Sequence, residues 1–385
     1  MGDWIQANLG DFITLQRGFD ITKVAQGEGP YPVVSSGGID SFHDHFMVKG
    51  PGVVIGRKGT LGTTFFVPGD YWPHDTTLWV KDFKGNDEKF IYYLLKNLPL
   101  QRLDSGSANP TLNRNYAHLV KVAAPRLAVQ KKIATVLSAL DAKIDLNNRI
   151  NAELEALAKT IYDYWFVQFD FPDAHGRPYR SSGGAMVWND TLKREIPSEW
   201  KTASLWDIAT YTNGLAMQKF RPKGEAYLPV IKIKEMSDGF TSETERASPS
   251  IPSKIVVNDG DILFSWSATL AVQIWTRGRG ALNQHIFKVT SDTYPRSFYY
   301  FELVNYLDHF KMMAEKRKTT MGHITLDHLR QSVVVTPPLS LIEQMDERLR
   351  PIFDQCLGLS KQNQELTQLR DWLLPLLMNG QVRVA

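Results

Sequence analysis

Apolar and polar positions follow two rhythms along this chain, and each rhythm occurs twice. Short β-like runs punctuated by glycine open each half: YPVVSSGG and GVVIGRKGTLG in the first, YLPVIKIK and GDILFSWSATL in the second. A shorter helix is predicted at 88–98 and again at 296–314. A strand-like exit follows, LVKVAAP (119–125) or SVVVTPP (332–338). Beyond each proline the period turns helical. The first segment places Ile133, Leu137, Leu140, Ile144, Leu154, Leu157, Ile161 and Tyr164 on one face, with Asn147 and Asn151 in mid-seam. The second runs Ile342, Met345, Leu349, Ile352, Cys356, Leu359, Asn363, Leu366, Leu369, Leu373 and Leu376. Such seams predict two helices of about 38 residues, near 57 Å each.

The halves also match letter by letter. Asn-x-Glu-Leu-x-x-Leu stands at 151–157 and at 363–369, and FIYYLLKN (90–97) answers FYYFELVN (298–305). Trp4/Trp200, Ala7/Ala203, Leu9/Leu205, Asp11/Asp207, Thr14/Thr210 and Gly18/Gly214 are identical pairs. A period this long marks a duplicated domain pair, not a solenoid. The second copy is longer, and MSDGFTSETERASPS (236–250) reads as the inserted loop.

The expected fold class is α+β: two pseudo-symmetric domains (1–128 and 197–338) joined by two long helices. The first helix should occupy 129–170, a linker 171–196, and the second helix 339–385. The alternative is that each helix simply covers its own domain, but a domain of about 130 residues needs no helix of that length. Pairing the seams as an antiparallel coiled coil buries both, through Leu137, Leu140, Ile144, Asn151, Leu154 and Leu157 on one side and Leu349, Ile352, Asn363, Leu366 and Leu369 on the other. Asn151 and Asn363 should meet at the crossing, holding the domains at opposite ends of a spacer. Pro351 and Pro375 should interrupt or kink the second helix.

Composition narrows the chemistry. At 385 residues, with 43% hydrophobic and 22% charged residues, the chain has the balance of a soluble globular protein. One cysteine, Cys356, excludes internal disulfides and multi-cysteine zinc sites. No signal-peptide pattern or membrane-length apolar run is present, so a cytoplasmic address without membrane association is expected. Net charge is only +3, so any nucleic-acid affinity must come from local placement or from a partner.

Catalytic signatures are sparse, and neither a cofactor nor a metal is expected. His43 and His45 lack further ligands at metal spacing. Pro172-Asp173 with Glu199-Trp200-Lys201 resembles a nuclease motif, but the first copy has Asp3-Trp4-Ile5 where the second has Glu-Trp-Lys. The copies agree in scaffold and differ in loops. The first carries Arg57 and Lys58 in a glycine-rich turn, then Ser107 and Arg114 in SGSANPTLNRN. The second carries Ser265, Lys232 and Lys234, then Lys316, Arg317, Lys318, Thr320 and His323 in KRKTTMGHITL. Cations, hydroxyls and amides suit phosphates and base edges; the alternative for each loop is a solvated turn.

The phrases KIDLNNRINAELEALAKTIYDYWFVQFDF (143–171), NQELTQLRDWLLPLLMNGQV (363–382) and TTMGHITL…VVVTPP resemble specificity subunits of type I restriction–modification systems. The resemblance covers nearly the whole chain and is strongest in the helical segments. It implies a non-catalytic subunit that binds double-stranded DNA, carries two methyltransferase subunits and joins translocase–nuclease subunits. Each domain would read half of a bipartite, asymmetric target, and the paired helices would set the gap. Trp165, Phe166 and Trp372 match segments that meet the methyltransferase subunits. The alternative is a coiled-coil scaffold that binds proteins without DNA specificity.

Overall fold

The structure, a computed structural model, describes residues 4–104, 110–316 and 323–384. Two compact units divide the chain: 1–145 with 365–385, and 146–364. Neither unit is one repeat alone. The first takes the end of the second long helix into its fold, and the second takes the last turns of the first long helix.

In the first unit an entry strand, Trp4–Asn8, pairs antiparallel with the exit strand, Lys121–Pro125, so that Trp4 faces Pro125. The short helix Leu9–Phe12 follows, with Asn8 and Asp11 forming a reciprocal capping box. An antiparallel sheet then runs in the order Thr14–Arg17, Thr77–Asp82, Gly52–Gly56, Thr64–Val67. A smaller sheet contains one parallel pairing, Val33 opposite Trp72. Leu9, Ile13, Leu15, Val53, Leu78, Phe90 and Leu94 form the core. Ile133 and Leu137 of the first long helix, with Leu374 and Leu377 of the second, complete it.

The second unit repeats this plan. Lys201–Ser204 pairs with Val333–Thr336, Lys201 facing Thr336. Ser204 and Asp207 cap the helix Leu205–Ile208. The sheet Thr210–Asn213, Ile286–Thr290, Ile262–Ser265, Ala271–Ile274 has the same order as its counterpart. The parallel pairing recurs as Val230 opposite Ala281. The extra residues at 236–250 are more than a loop. They include the end of the helix Ile233–Asp238 and the strand Arg246–Ala247, anchored by buried Met236 and Ala247.

At the shared glycines the backbone approaches other backbone closely. A Cβ on Gly18 would lie 2.1 Å from the His74 carbonyl oxygen, and one on Gly214 lies 2.1 Å from that of Asn283. In each unit the residue after the glycine makes an isolated parallel bridge there, Phe19 to His74 and Leu215 to Asn283. Backbone meets backbone, so no side chain can yield.

The long helices span Leu127–Tyr162 and Leu339–Met378. A π-helical turn, Asp163–Val167, extends the first. The expected linker is partly ordered as a hairpin, Met186–Asn189 with Arg194–Pro197. The prolines do not interrupt the second helix. The carbonyls they deprive of partners belong to Glu347 and Asp371, both exposed residues that water can satisfy.

Within each unit the helices run antiparallel. In the first, Arg370 donates to Asp141 at 2.8 Å, and Tyr93 donates to the other oxygen of that carboxylate at 2.5 Å. In the second, the fully buried Asn147 donates to Gln362 (2.7 Å) and Asn363 (2.9 Å), and Asn363 donates to Asn148 (2.8 Å). The expected Asn151–Asn363 pair is therefore off by one helical turn. Asn151 instead meets the Ser360 hydroxyl at 3.2 Å. With Asn147 opposite Asn363, the next turn of one helix must face the preceding turn of the other.

Leu137 and Leu349 are fully buried, and Leu140, Ile144, Leu154, Ile352 and Leu366 are partly covered. Leu157 and Leu369 are exposed and leave the expected seam; Ala158 and Leu374, one and five positions on, take the buried face. Heptad spacing drifts against a 3.6-residue helix, so a seam extrapolated from one end slips by a position. None of the helices among the described residues is long and apolar enough to cross a membrane.

The second unit sets one carboxyl against its core where the first copy has a leucine. Glu302 replaces Leu94 of the first copy and accepts a hydrogen bond from Tyr162 at 2.6 Å. Burial pushes its carboxyl up to about 7, although Tyr162 and Arg194 pull the other way.

Gly18→Ala and Gly214→Ala should each destabilise by at least about 2 kcal/mol, on the order of 5 °C in Tm, measured by calorimetry. Because the Glu302 carboxyl is raised in the folded state, its contribution is present at low pH and fades as pH rises from 4.5 towards about 7. Glu302→Gln should flatten the melting temperature across that window and exceed the wild type at about pH 8.

Candidate nucleic-acid interface

The loops that differ most between the copies spring from equivalent backbone positions. In the first unit the strand Gly52–Gly56 runs into a turn that carries Arg57 and Lys58. Both backbone amides donate to the Thr76 carbonyl, at 2.9 and 3.0 Å, and the Arg57 carbonyl accepts from the Leu112 amide at 2.9 Å. Lys58 also bridges to Thr111. In the second unit the Trp266 amide donates to the His285 carbonyl at 3.4 Å, and the Trp266 carbonyl accepts from Ile324 at 2.9 Å. Ser267 bridges to His323. Arg57 and Trp266 therefore occupy one scaffold position, as do Lys58 and Ser267, Thr111 and His323, and Thr76 and His285.

The side chains on these positions have opposite character. Arg17, ahead of the shared glycine, donates to Asp75 at 2.8 Å, and Lys58 lies 4.0 Å from the same carboxylate. The Arg57 guanidinium reaches the Asp75 carbonyl at 3.5 Å. Arg17, Arg57, Leu78, Thr111, Asn113 and Arg114 line an open recess of about 310 Å³. Asn113 caps the short helix that carries Arg114 by accepting from the Asn115 amide at 2.9 Å. The cluster is thus cationic, with Arg17 held by the Asp75 carboxylate and more loosely by Asp20 at 3.5 Å.

The second cluster is aromatic and amidic. Asn213, the counterpart of Arg17, accepts a hydrogen bond from the Trp266 indole at 3.1 Å. The Trp266 ring lies 5.5 Å from His285 and 5.7 Å from His323, both exposed imidazoles. Gln284 stands beside His285 at 3.3 Å. The turn holds Ala268 at φ 57, where the first copy has Gly59 at φ 75. A left-handed alanine is strained, and such strain persists where surrounding structure enforces it.

Arg57, Lys58 and Arg114 therefore come together, and His323 joins the second cluster. Ser265 does not reach the surface. It is fully buried at the end of its strand, and its hydroxyl donates to the Thr269 and Ser267 carbonyls at 2.7 and 3.3 Å. Successive side chains of a strand point to opposite faces, so Ser265 turns inward while the next residue, Trp266, stays partly exposed. Lys232 and Lys234 are paired with Glu245 (2.5 Å) and Glu243 (3.6 Å). Lys316 ends the helix Arg296–Lys316, while Ser107, Arg317, Lys318 and Thr320 lie outside the described residues.

Of the three aromatics assigned to partner docking, Trp165 and Phe166 belong to the core of the second unit. Phe166 packs against Trp200 and Phe298, and both residues are under a tenth exposed. The π-helical turn directs them inward. Trp372 is exposed.

Arg17, Asp75, Asn213, Gln284 and His285 were not singled out by the sequence, and Trp266 was noted only as part of the Ser265-Trp266-Ser267 run. Arg17 and Asn213 each precede the shared glycine, a signal that alignment of the copies contains. Asp75 and Gln284 offer none. Among the described residues no cluster of three His, Cys, Asp or Glu residues is arranged to hold a metal. The nuclease-like Asp173 is occupied within its own turn, accepting from the amides of His175 and Arg177.

Two copies of one α+β scaffold, each closed by segments of both long helices, define a duplicated-domain protein whose variable chemistry lies in its turns. The sequence profile of the type I restriction modification DNA specificity domain matches it twice, at residues 1–156 and 197–368. The chain belongs to that family. It is 26% identical over 314 residues to the type I restriction enzyme MjaIX specificity subunit of Methanocaldococcus jannaschii, covering 78% of this chain and 70% of the relative. It is 24% identical over 315 residues to the HindI specificity subunit of Haemophilus influenzae, covering 67% and 68%. The crystal structure of the S subunit from M. genitalium shares the fold, with a TM-score of 0.60 at 15% identity over 98% of this chain and 96% of that one. Homologues of this kind are the non-catalytic components of type I restriction–modification systems.

Ala268→Gly should relieve the left-handed strain and raise Tm by a few degrees. The equivalent glycine, Gly59, replaced by alanine should lower it. Differential scanning fluorimetry of the pair decides this.

Proposed function

We propose that this chain is the DNA-recognition subunit of a type I restriction–modification complex and that each repeat reads one half of a bipartite, asymmetric target. The observation that supports this best is the pair of equivalent turns with unlike chemistry. A guanidinium cluster stands where the other copy has an indole flanked by imidazoles. One docking geometry applied to two different half-sites calls for such a pairing: a constant frame with changed contacts. The paired long helices fix the gap between half-sites. They also carry two methyltransferase subunits, with the exposed Trp372 on their docking surface, and the complex joins restriction–translocase subunits in the cytoplasm. Chemistry on the target adenine belongs to the methyltransferase partner, which must take the base out of the stack.

The test is methylation mapping after co-expression with the cognate methyltransferase subunit in a methylation-free host. One asymmetric motif in two parts with a fixed gap is expected, and exchange of residues 1–128 should change only one part. Assembly with the partner but no modified motif would favour a protein-binding scaffold instead.

A further inference from the structure

The two clusters differ in a way that bears on which bases they suit. We infer that the first repeat reads guanine, through Arg17 and Arg57 held in place by Asp75, and that the second repeat reads its half-site without a cation at the equivalent positions. This rests on the DNA-reading role proposed above.

Phosphate contacts need charge and little orientation, whereas guanine in the major groove offers N7 and O6 to a guanidinium fork held in one plane. Arg17 is held in that sense: Asp75 accepts from its Nη2 at 2.8 Å and is itself only 16% exposed. Arg57 is anchored at both ends, by its backbone to Thr76 and Leu112 and by its guanidinium to the Asp75 carbonyl. Immobilisation before binding reduces the entropy lost in forming two parallel hydrogen bonds. A carboxylate so close would repel a phosphate, and it is tolerated where the guanidinium stands between it and the acceptor edge of a base. Lys58 is half-exposed and 4.0 Å from Asp75, and Arg114 projects from an exposed position, so these two suit the flanking phosphates. Asp75 is a positioning residue.

At the equivalent positions the second repeat has Asn213, Trp266, Ser267 and Gln284 and no lysine or arginine. Its amides and imidazoles offer hydrogen bonds in place of a guanidinium fork, and its indole offers an apolar face.

Methylation mapping of the full chain with its methyltransferase partner tests this, comparing wild type with Arg17→Lys, Arg57→Lys and Asp75→Asn. Each variant is first shown to melt and assemble as wild type. The wild-type half assigned to residues 1–128 should contain a G·C pair. Each Arg→Lys variant keeps the charge but loses the fork. It should reduce preference for guanine at one position about 10- to 100-fold, with the other half unchanged. Asp75→Asn removes the carboxylate that holds Arg17 but keeps the carbonyl that Arg57 contacts, so it should relax only the position assigned to Arg17. Trp266→Ala should act only on the second half.

A first half without a G·C pair would overturn the inference. So would uniform weakening by Arg→Lys without loss of preference at any one position, the mark of a phosphate contact. If Asp75→Asn fails to assemble, the two Arg→Lys variants, neither at a buried side chain, decide alone. Absence of a bipartite motif in the wild type would instead remove the proposed function, a result read before any variant is made.

Discussion

The structure depends on each repeat needing helical surface from the other. The sheets of one domain have four short strands or fewer, and they cannot close a core unaided. In the first unit the gap is filled by Ile133 and Leu137 together with Leu374 and Leu377. In the second it is filled by Ala158, Tyr162, Trp165 and Phe166 together with Leu341, Ile342, Met345 and Leu349. Apolar burial at about 25 cal/mol per Å² makes such large side chains the main stabilising contribution. The order domain, helix, domain, helix follows from this: each helix leaves its own domain and ends in the other unit.

Burial alone does not fix how two apolar seams slide, because leucines one turn apart are interchangeable. Register comes from polar groups. Asn147 is fully buried and has its amide donors engaged by Gln362 and Asn363, while Arg370 meets Asp141 in the first unit. A slip of one turn would bury these groups without partners, at about 1–3 kcal/mol for each neutral one and more for the charged pair. Buried polar residues that set register are a known property of paired helices.

The frame permits variation where variation is useful. Gly18 and Gly214, the capping boxes at Asn8 and Ser204, and the entry–exit strand pairs recur because backbone packing demands them. The turns after Gly56 and Ser265 face outward, and their backbones are held by matching hydrogen bonds whatever side chains they carry. Arginine and tryptophan can therefore occupy one backbone position, the tryptophan resting on Phe287 at the core's edge. The strained Ala268 shows that the second copy keeps the turn geometry even without the glycine that suits it.

The sequence by itself determined the duplication, the α+β class, the two long helices and the fact that the copies differ in loop chemistry. These are properties of period and local propensity, which a linear text records. It also named Arg57, Lys58, Arg114 and His323, which the fold gathers around the two equivalent turns. It misjudged Ser265 against Trp266, since one residue along a strand reverses the face. It placed Leu157, Leu369, Trp165 and Phe166 on the wrong surfaces, because a seam's phase depends on the partner and on a π-helical turn that no heptad count foresees. Only the tertiary structure decided that Asp75 stands between Arg17 and Arg57, that Asn213 holds Trp266, and that Asn147 rather than Asn151 meets Asn363. Those contacts join residues tens to hundreds of positions apart. Their pairing is set by packing and register, which exist only once the chain has closed on itself.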